Sequence, residues 1–204
     1  MKNITSELDS ILKQYSSFEI RVGKAIGDIC AKHCSECSSV CCKPEFCRET
    51  IESSFLSLLN KKFPPVSGYS KKGGWLTETG CILSAGRPPV CYEYLCSSIM
   101  EVQPDDMHRY VINVLSMLVS HIGKYTLGRR HLIEILDEKE LKKLKIIRFK
   151  KQLNEAETAF NAFKSYIKNE YLDKTSLQAF EKIVSPPDSI IVTLHSTCQS
   201  VCRV

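Results

Sequence analysis

IIRFKKQLNEAETAFNAFKSYI, residues 146–167, decides the fold class. Its apolar positions are Ile146, Phe149, Leu153, Ala156, Phe160, Phe163 and Ile167, separated alternately by three and four residues. That is a heptad-like seam on one face of a helix; a strand would instead alternate every second residue. The spacing predicts a long helix within a run from about Glu138 to Leu172. Too few heptads are present to require a second chain. The seam therefore reads as the packing face of an antiparallel hairpin with the preceding helix, with a dimerising coiled coil as the alternative.

The neighbouring segments repeat the helical pattern. Upstream, Met107, Tyr110, Val111, Val114, Leu115, Leu118, His121, Ile122 and Tyr125 predict a helix between Pro104 and about Leu136, with Gly128 as a break point. Pro104 followed by Asp105 and Asp106 suits a helix start, because proline fits the first turn and acids complement the helix dipole. Downstream, a last helix is expected over 175–184, before Pro186-Pro187. SIIVTLH (189–195) is the one strand-like run, and one strand makes no sheet. At the N-terminus, Ile4, Leu8, Ile11, Leu12 and Tyr15 form a stripe that Val22, Ala25, Ile26 and Ile29 continue, although Gly23 and Gly27 weaken it. From Cys30 to about Pro44 the chain is polar and cysteine-rich and reads as loop. A helix over 48–62 should stop at Pro64-Pro65. Residues 66–89 are rich in turn signals, and a short helix over 92–100 would carry Cys96. The expected fold is mainly α. A loop-rich cysteine and metal-cluster half (1–104) packs with a helical half (105–204) as one unit.

The chain has 204 residues, 43% of them apolar and 25% charged, which suits a globular protein with a real core. A net charge of +5 argues little for nucleic acid. The lysine run EKELKKLKIIRFKK (138–151) reads as a solvated helix face rather than a nucleic-acid surface. MKNITSELDSILKQYSSFEI (1–20) carries acids where a signal peptide needs an apolar run. VINVLSMLVSHIG (111–123) is too short and too interrupted to span a bilayer. A cytoplasmic location without membrane association follows as the expectation. In a reducing compartment, clustered thiols bind metal or do redox chemistry rather than form structural disulfides.

Of eleven cysteines, nine fall between Cys30 and Cys96; Cys198 and Cys202 stand apart near the C-terminus. The spacing runs Cys30-x3-Cys34-x2-Cys37-x3-Cys41-Cys42-x4-Cys47, then Cys81, then Cys91-x4-Cys96. A two-residue gap lets two thiolates turn onto one metal. Zinc wants four such ligands in a tetrahedron, and an iron–sulfur cubane wants four spread more widely. Zinc knuckles come as two separated CxxC pairs, whereas here only Cys34 and Cys37 form one, and His33 has no histidine partner nearby. This tilts the reading toward iron–sulfur, though both metals accept all-thiolate sites. CAKHCSEC (30–37) shares the C-x3-C-x2-C spacing of radical S-adenosylmethionine enzymes, but no strand precedes it and no βα alternation follows.

CSECSSVCC (34–42) resembles the signature of the YkgJ-like CxxCxxCC cysteine-cluster family, described as zinc- or iron-chelating domains. A second block fits the same family: GCILSAGRPPVCYEYLC (80–96), with Gly80, Cys81, Leu83, Arg87, Pro88, Cys91, Tyr94 and Cys96. The resemblance covers residues 30–96, about a third of the chain. It departs from the family in having three residues, not two, between the CxxC and the CC, which leaves the ligand role open between Cys41 and Cys42. By position, it implies metal ligation by Cys34, Cys37, Cys41, Cys42, Cys47, Cys81, Cys91 and Cys96, with Cys30 as an extra thiol. It further implies an iron–sulfur cluster of the 4Fe–4S type and a protein partner, either redox or a methylase-like modifying enzyme. The alternative is a structural zinc module that mediates protein–protein interaction; a sensor using free thiols is a third reading.

Among other residues, Arg87 is expected to donate to carbonyls or to cluster sulfur, Pro88 to stiffen the approach to Cys91, and Tyr94 to pack around the site. His108, His121 and His131 read as core or surface residues rather than ligands. Cys198 and Cys202, four apart, read as ordinary small residues or a redox pair. No nucleophile elbow, phosphate loop or HExxH is present, so no catalytic residue is assigned and enzymatic activity is left open.

Overall fold

The computed structural model describes residues 2–37, 42–77 and 80–190. The chain begins with one unbroken helix, α1 (Lys2–Cys34). Ile11, Leu12, Tyr15, Phe18 and Val22 are buried along one face, as the apolar stripe requires. The helix runs past Cys30 to Cys34, where loop was expected. Ala31 and Lys32 are good helix formers, and nothing in CAKHC breaks the turn. Gly23 is tolerated because the Tyr92 ring packs on it: a Cβ there would lie 3.3 Å from Tyr92 Cε1.

The single helix expected over 48–62 is two, α2 (Glu49–Glu52) and α3 (Ser54–Lys62). They part at Ser53, which is extended (ψ 121°) and whose Oγ accepts a hydrogen bond from Leu56 N–H. A serine that can cap a helix competes with helix continuation. Within the turn-rich stretch lies a two-residue hairpin, β1 (Leu76–Thr77) paired antiparallel with β2 (Gly80–Cys81). The short helix over 92–100 resolves into α4 (Val90–Glu93) and α5 (Ser97–Glu101), and Cys96 is the extended residue that opens α5 rather than a helical one.

Three helices complete the bundle: α6 (Asp106–Gly123), α7 (Ile146–Asn169) and α8 (Lys174–Glu181). Asp105 caps α6, its carboxylate accepting from His108 N–H at 2.8 Å, so Pro104 lies just outside the helix. α6 ends at Gly123, well before Leu136. The chain folds back there, and the His131 ring occupies the space where a Cβ on Gly123 would stand. His131 Nε2 lies 2.8 Å from Ser120 O. The start of α6 meets the end of α7, with Tyr166 Oη 3.1 Å from His108 Nδ1. The end of α6 meets the middle of α7, with His121 Nε2 2.9 Å from Glu155 Oε2. The pair is an antiparallel hairpin within one chain. Its seam buries Phe149, Leu153, Ala156, Phe160 and Phe163, while Ile167 is 50% exposed.

The main core joins α1, α3, α4, α6, α7 and α8, so it draws on both sides of residue 104. A second, small core holds Cys47, Trp75 and Leu83. Of the strand-like run 189–195, Ser189 and Ile190 close a helical turn, and 191–195 lie outside the described residues. Among the described residues, no helix is long and apolar enough to cross a membrane.

Candidate metal centre

Cys47 sits in a 3-10 turn that follows Pro44, its N–H bonded to Pro44 O at 3.0 Å. It is buried. Its carbonyl accepts from Thr50 Oγ1 at 2.6 Å, and that hydroxyl in turn accepts from Trp75 Nε1 at 2.6 Å. Trp75 thereby ties the Cys47 turn to the β hairpin, on which Cys81 pairs with Leu76. Gly74, at φ +63°, lets the backbone come close: a Cβ there would fall 2.6 Å from Cys47 Sγ. Cys91 follows Pro88-Pro89, with its N–H bonded to Pro88 O at 2.9 Å. Two fixed proline φ angles restrict the shape of that turn.

These elements enclose a cavity of about 130 Å³ lined by Cys42, Cys47, Cys81 and Cys91, with Arg87 on its wall. Phe46 (39% exposed) and Tyr94 (60% exposed) line it too and reach solvent. Arg87 is half-buried and its Nε donates to Leu83 O at 3.0 Å. Burial works to lower the Arg87 pKa; Tyr92, Cys81, Glu19 and Cys91 outweigh it and push it up. Burial first, then Cys47, Cys81 and Cys42, push the Cys91 thiol up to about 12, with Arg87 working the other way. Cys91 is exposed as a residue, and it lines this cavity with Cys42, Cys47 and Cys81.

The structure thus brings together half of the eight cysteines named from the sequence. Cys34 ends α1, exposed, with Cys37 N–H 3.4 Å from its carbonyl, and neither lines the cavity. Cys96 is also outside it. Its thiol lies 3.2 Å from Ser98 Oγ, and this hydrogen bond, followed by the Ile99 N–H, lowers its pKa. Cys30 stands half-buried on α1. Cys41, Cys198 and Cys202 lie outside the described residues. Among the described residues, no three Cys, His, Asp or Glu side chains converge as they would on one ion.

Sequence reasoning missed Glu19. It is 1% exposed and reaches the same loop: one carboxylate oxygen accepts from Gly86 N–H, the other from Arg87 N–H and Tyr92 O–H, each at 2.8 Å. The signal was there, since Glu19 falls between Tyr15 and Val22 on the apolar stripe of α1, where a carboxylate needs buried partners. Thr50 and Trp75 gave no comparable signal. No protein-family model, curated protein or solved structure matches this chain.

Proposed function

We propose that the protein holds an iron–sulfur cluster through cysteine thiolates and works in electron transfer or as accessory to a protein-modifying, methylase-like enzyme. One observation carries this: Cys42, Cys47, Cys81 and Cys91, from three separate stretches of chain, line a single cavity. The donor set fits the group. Four cysteines line about 130 Å³, the number of thiolates that either a cubane or a tetrahedral zinc ion takes. Such a cluster supplies one-electron transfer. The chain supplies four sulfur donors, a guanidinium that offsets thiolate charge, and the apolar side chains of Leu76 and Val90 that limit water. Cys34, Cys37, Cys41 and Cys96 belong to the reading only through the family resemblance. So does the partner, a redox or modifying enzyme.

The test is iron, zinc and acid-labile sulfide per chain on anaerobically purified protein, with its visible spectrum. About four irons with matching sulfide support the proposal. Zinc without sulfide replaces it with the structural zinc module, whose metal contributes folding energy and no redox chemistry.

A further inference from the structure

We propose that Glu19 is the positioning residue of the thiol site, fixing Arg87 and Cys91 relative to the long helix; the inference rests on the metal-binding reading above. The Gly86 and Arg87 N–H groups are consecutive, with Gly86 at φ +78°, and both donate to the Glu19 carboxylate. Successive N–H groups around a left-handed residue form a concave anion-binding pair. Tyr92 O–H is the third donor, and it closes the far end of the same segment. One carboxylate therefore holds residues 86, 87 and 92. Cys91 lies inside the span that it holds, and the Arg87 side chain leaves that span for the cavity.

The helix gives this anchor its rigidity. Glu19 lies between buried Phe18 and Val22, and the Tyr92 ring lies on Gly23 one turn later. The opposite wall, Cys47 and Cys81, is held by the Thr50–Trp75 bonds and the β hairpin, and the Arg87 side chain reaches it by donating to Leu83 O at 3.0 Å. Glu19 and the Arg87–Leu83 bond together set where Cys91 stands relative to Cys47 and Cys81. Buried carboxylates are costly unless every oxygen is satisfied, and here three donors converge on two oxygens. A glutamine cannot replace it, because its NH2 would face a donor.

The experiment compares wild type, Glu19→Gln, Tyr92→Phe and a control, Phe180→Leu, in the core on α8. The first readout is metal loss to a chelator from protein loaded during anaerobic purification. Changes to residues that orient ligands typically cost about 10–100-fold in metal affinity, so Glu19→Gln should release metal at least about ten-fold faster. Tyr92→Phe, which removes one of three donors, should show a smaller acceleration, and Phe180→Leu none beyond its loss of stability. The second readout is iodoacetamide alkylation of metal-free protein, resolved by mass spectrometry. Cys91 should react several-fold faster in Glu19→Gln while Cys96 keeps its wild-type rate. Equal behaviour of Glu19→Gln and Phe180→Leu in both readouts overturns the inference, and if Glu19→Gln does not fold, Tyr92→Phe decides by the same criteria. If wild type carries no metal, the functional reading fails, and the alkylation pattern alone upholds or overturns the role of Glu19.

Discussion

The helical bundle and the thiol-bearing wall are held by different forces. The bundle buries Phe18, Phe55, Phe149, Phe160 and Phe180 in one core, and apolar burial at about 25 cal/mol per Å² dominates its stability. The wall around Cys47 and Cys81 has a small core of its own, Cys47, Trp75 and Leu83, with Tyr69, Cys81 and Ile82 packed against it. It depends on a few directed bonds: Thr50 to Cys47, Trp75 to Thr50, and the hairpin. The bundle rests on apolar burial, and the wall rests on directed hydrogen bonds.

The largest expected effect tests the bundle side. Phe149→Ala, in the α6–α7 seam and 1% exposed, should cost about 3–5 kcal/mol in urea unfolding. Trp75 is the chain's single tryptophan, so its native emission should stay unchanged in that variant. A shift in emission would mean that the two regions are not separately held. Next comes Gly74→Ala. The strain at φ +63° costs about 1–3 kcal/mol, and the added methyl must displace Cys47. Here Trp75 emission should shift and Cys47 should become more reactive to alkylation; an unaltered spectrum would break the contrast. Thr50→Val leaves the Trp75 N–H without its partner and the Cys47 carbonyl with the Glu49 N–H alone, for about 1–2 kcal/mol, and should raise amide exchange around 47–50 while α6 and α7 stay protected.

The smallest effect is a pH dependence of the bundle. Burial lowers the pKa of His121 and of His131 from the ordinary 6.5. The folded state therefore binds fewer protons than the unfolded one just below that value. Stability from these residues is fully present above pH 6.5 and is lost as the pH falls. Glu19 acts oppositely, since burial raises its pKa from 4.5 and its contribution is lost as the pH rises through the folded value. Thermal melts should show a Tm that declines between about pH 7 and pH 5.5, and His131→Gln should flatten that decline. A Tm that rises over this interval would contradict the assignment.

Helical spacing made the bundle legible. The seam of α7, the stripe of α1 and the proline stops all act locally, and the structure follows them. Boundaries were less legible where tertiary contacts decide them. α6 stops at Gly123 because His131 returns onto it, although Tyr125 continues the helical spacing. The passage of α1 through Cys30 was not legible because thiols in a helix look, in sequence, the same as thiols in a loop. Spacing and resemblance named eight cysteines. Only chain folding separates Cys42, Cys47, Cys81 and Cys91, which face one cavity, from Cys34, Cys37 and Cys96, which do not. Glu19 showed only as a misplaced acid on an apolar face.

The most direct test of the thiol site compares two single substitutions, Cys91→Ser and Cys34→Ser, by iron and acid-labile sulfide per chain after anaerobic purification. If the cavity cysteines hold the cluster, Cys91→Ser loses most of its iron and sulfide while its bundle melts as in wild type. Cys34→Ser should keep the wild-type content. Full iron and sulfide in Cys91→Ser, or their loss only in Cys34→Ser, would contradict a cluster held in this cavity.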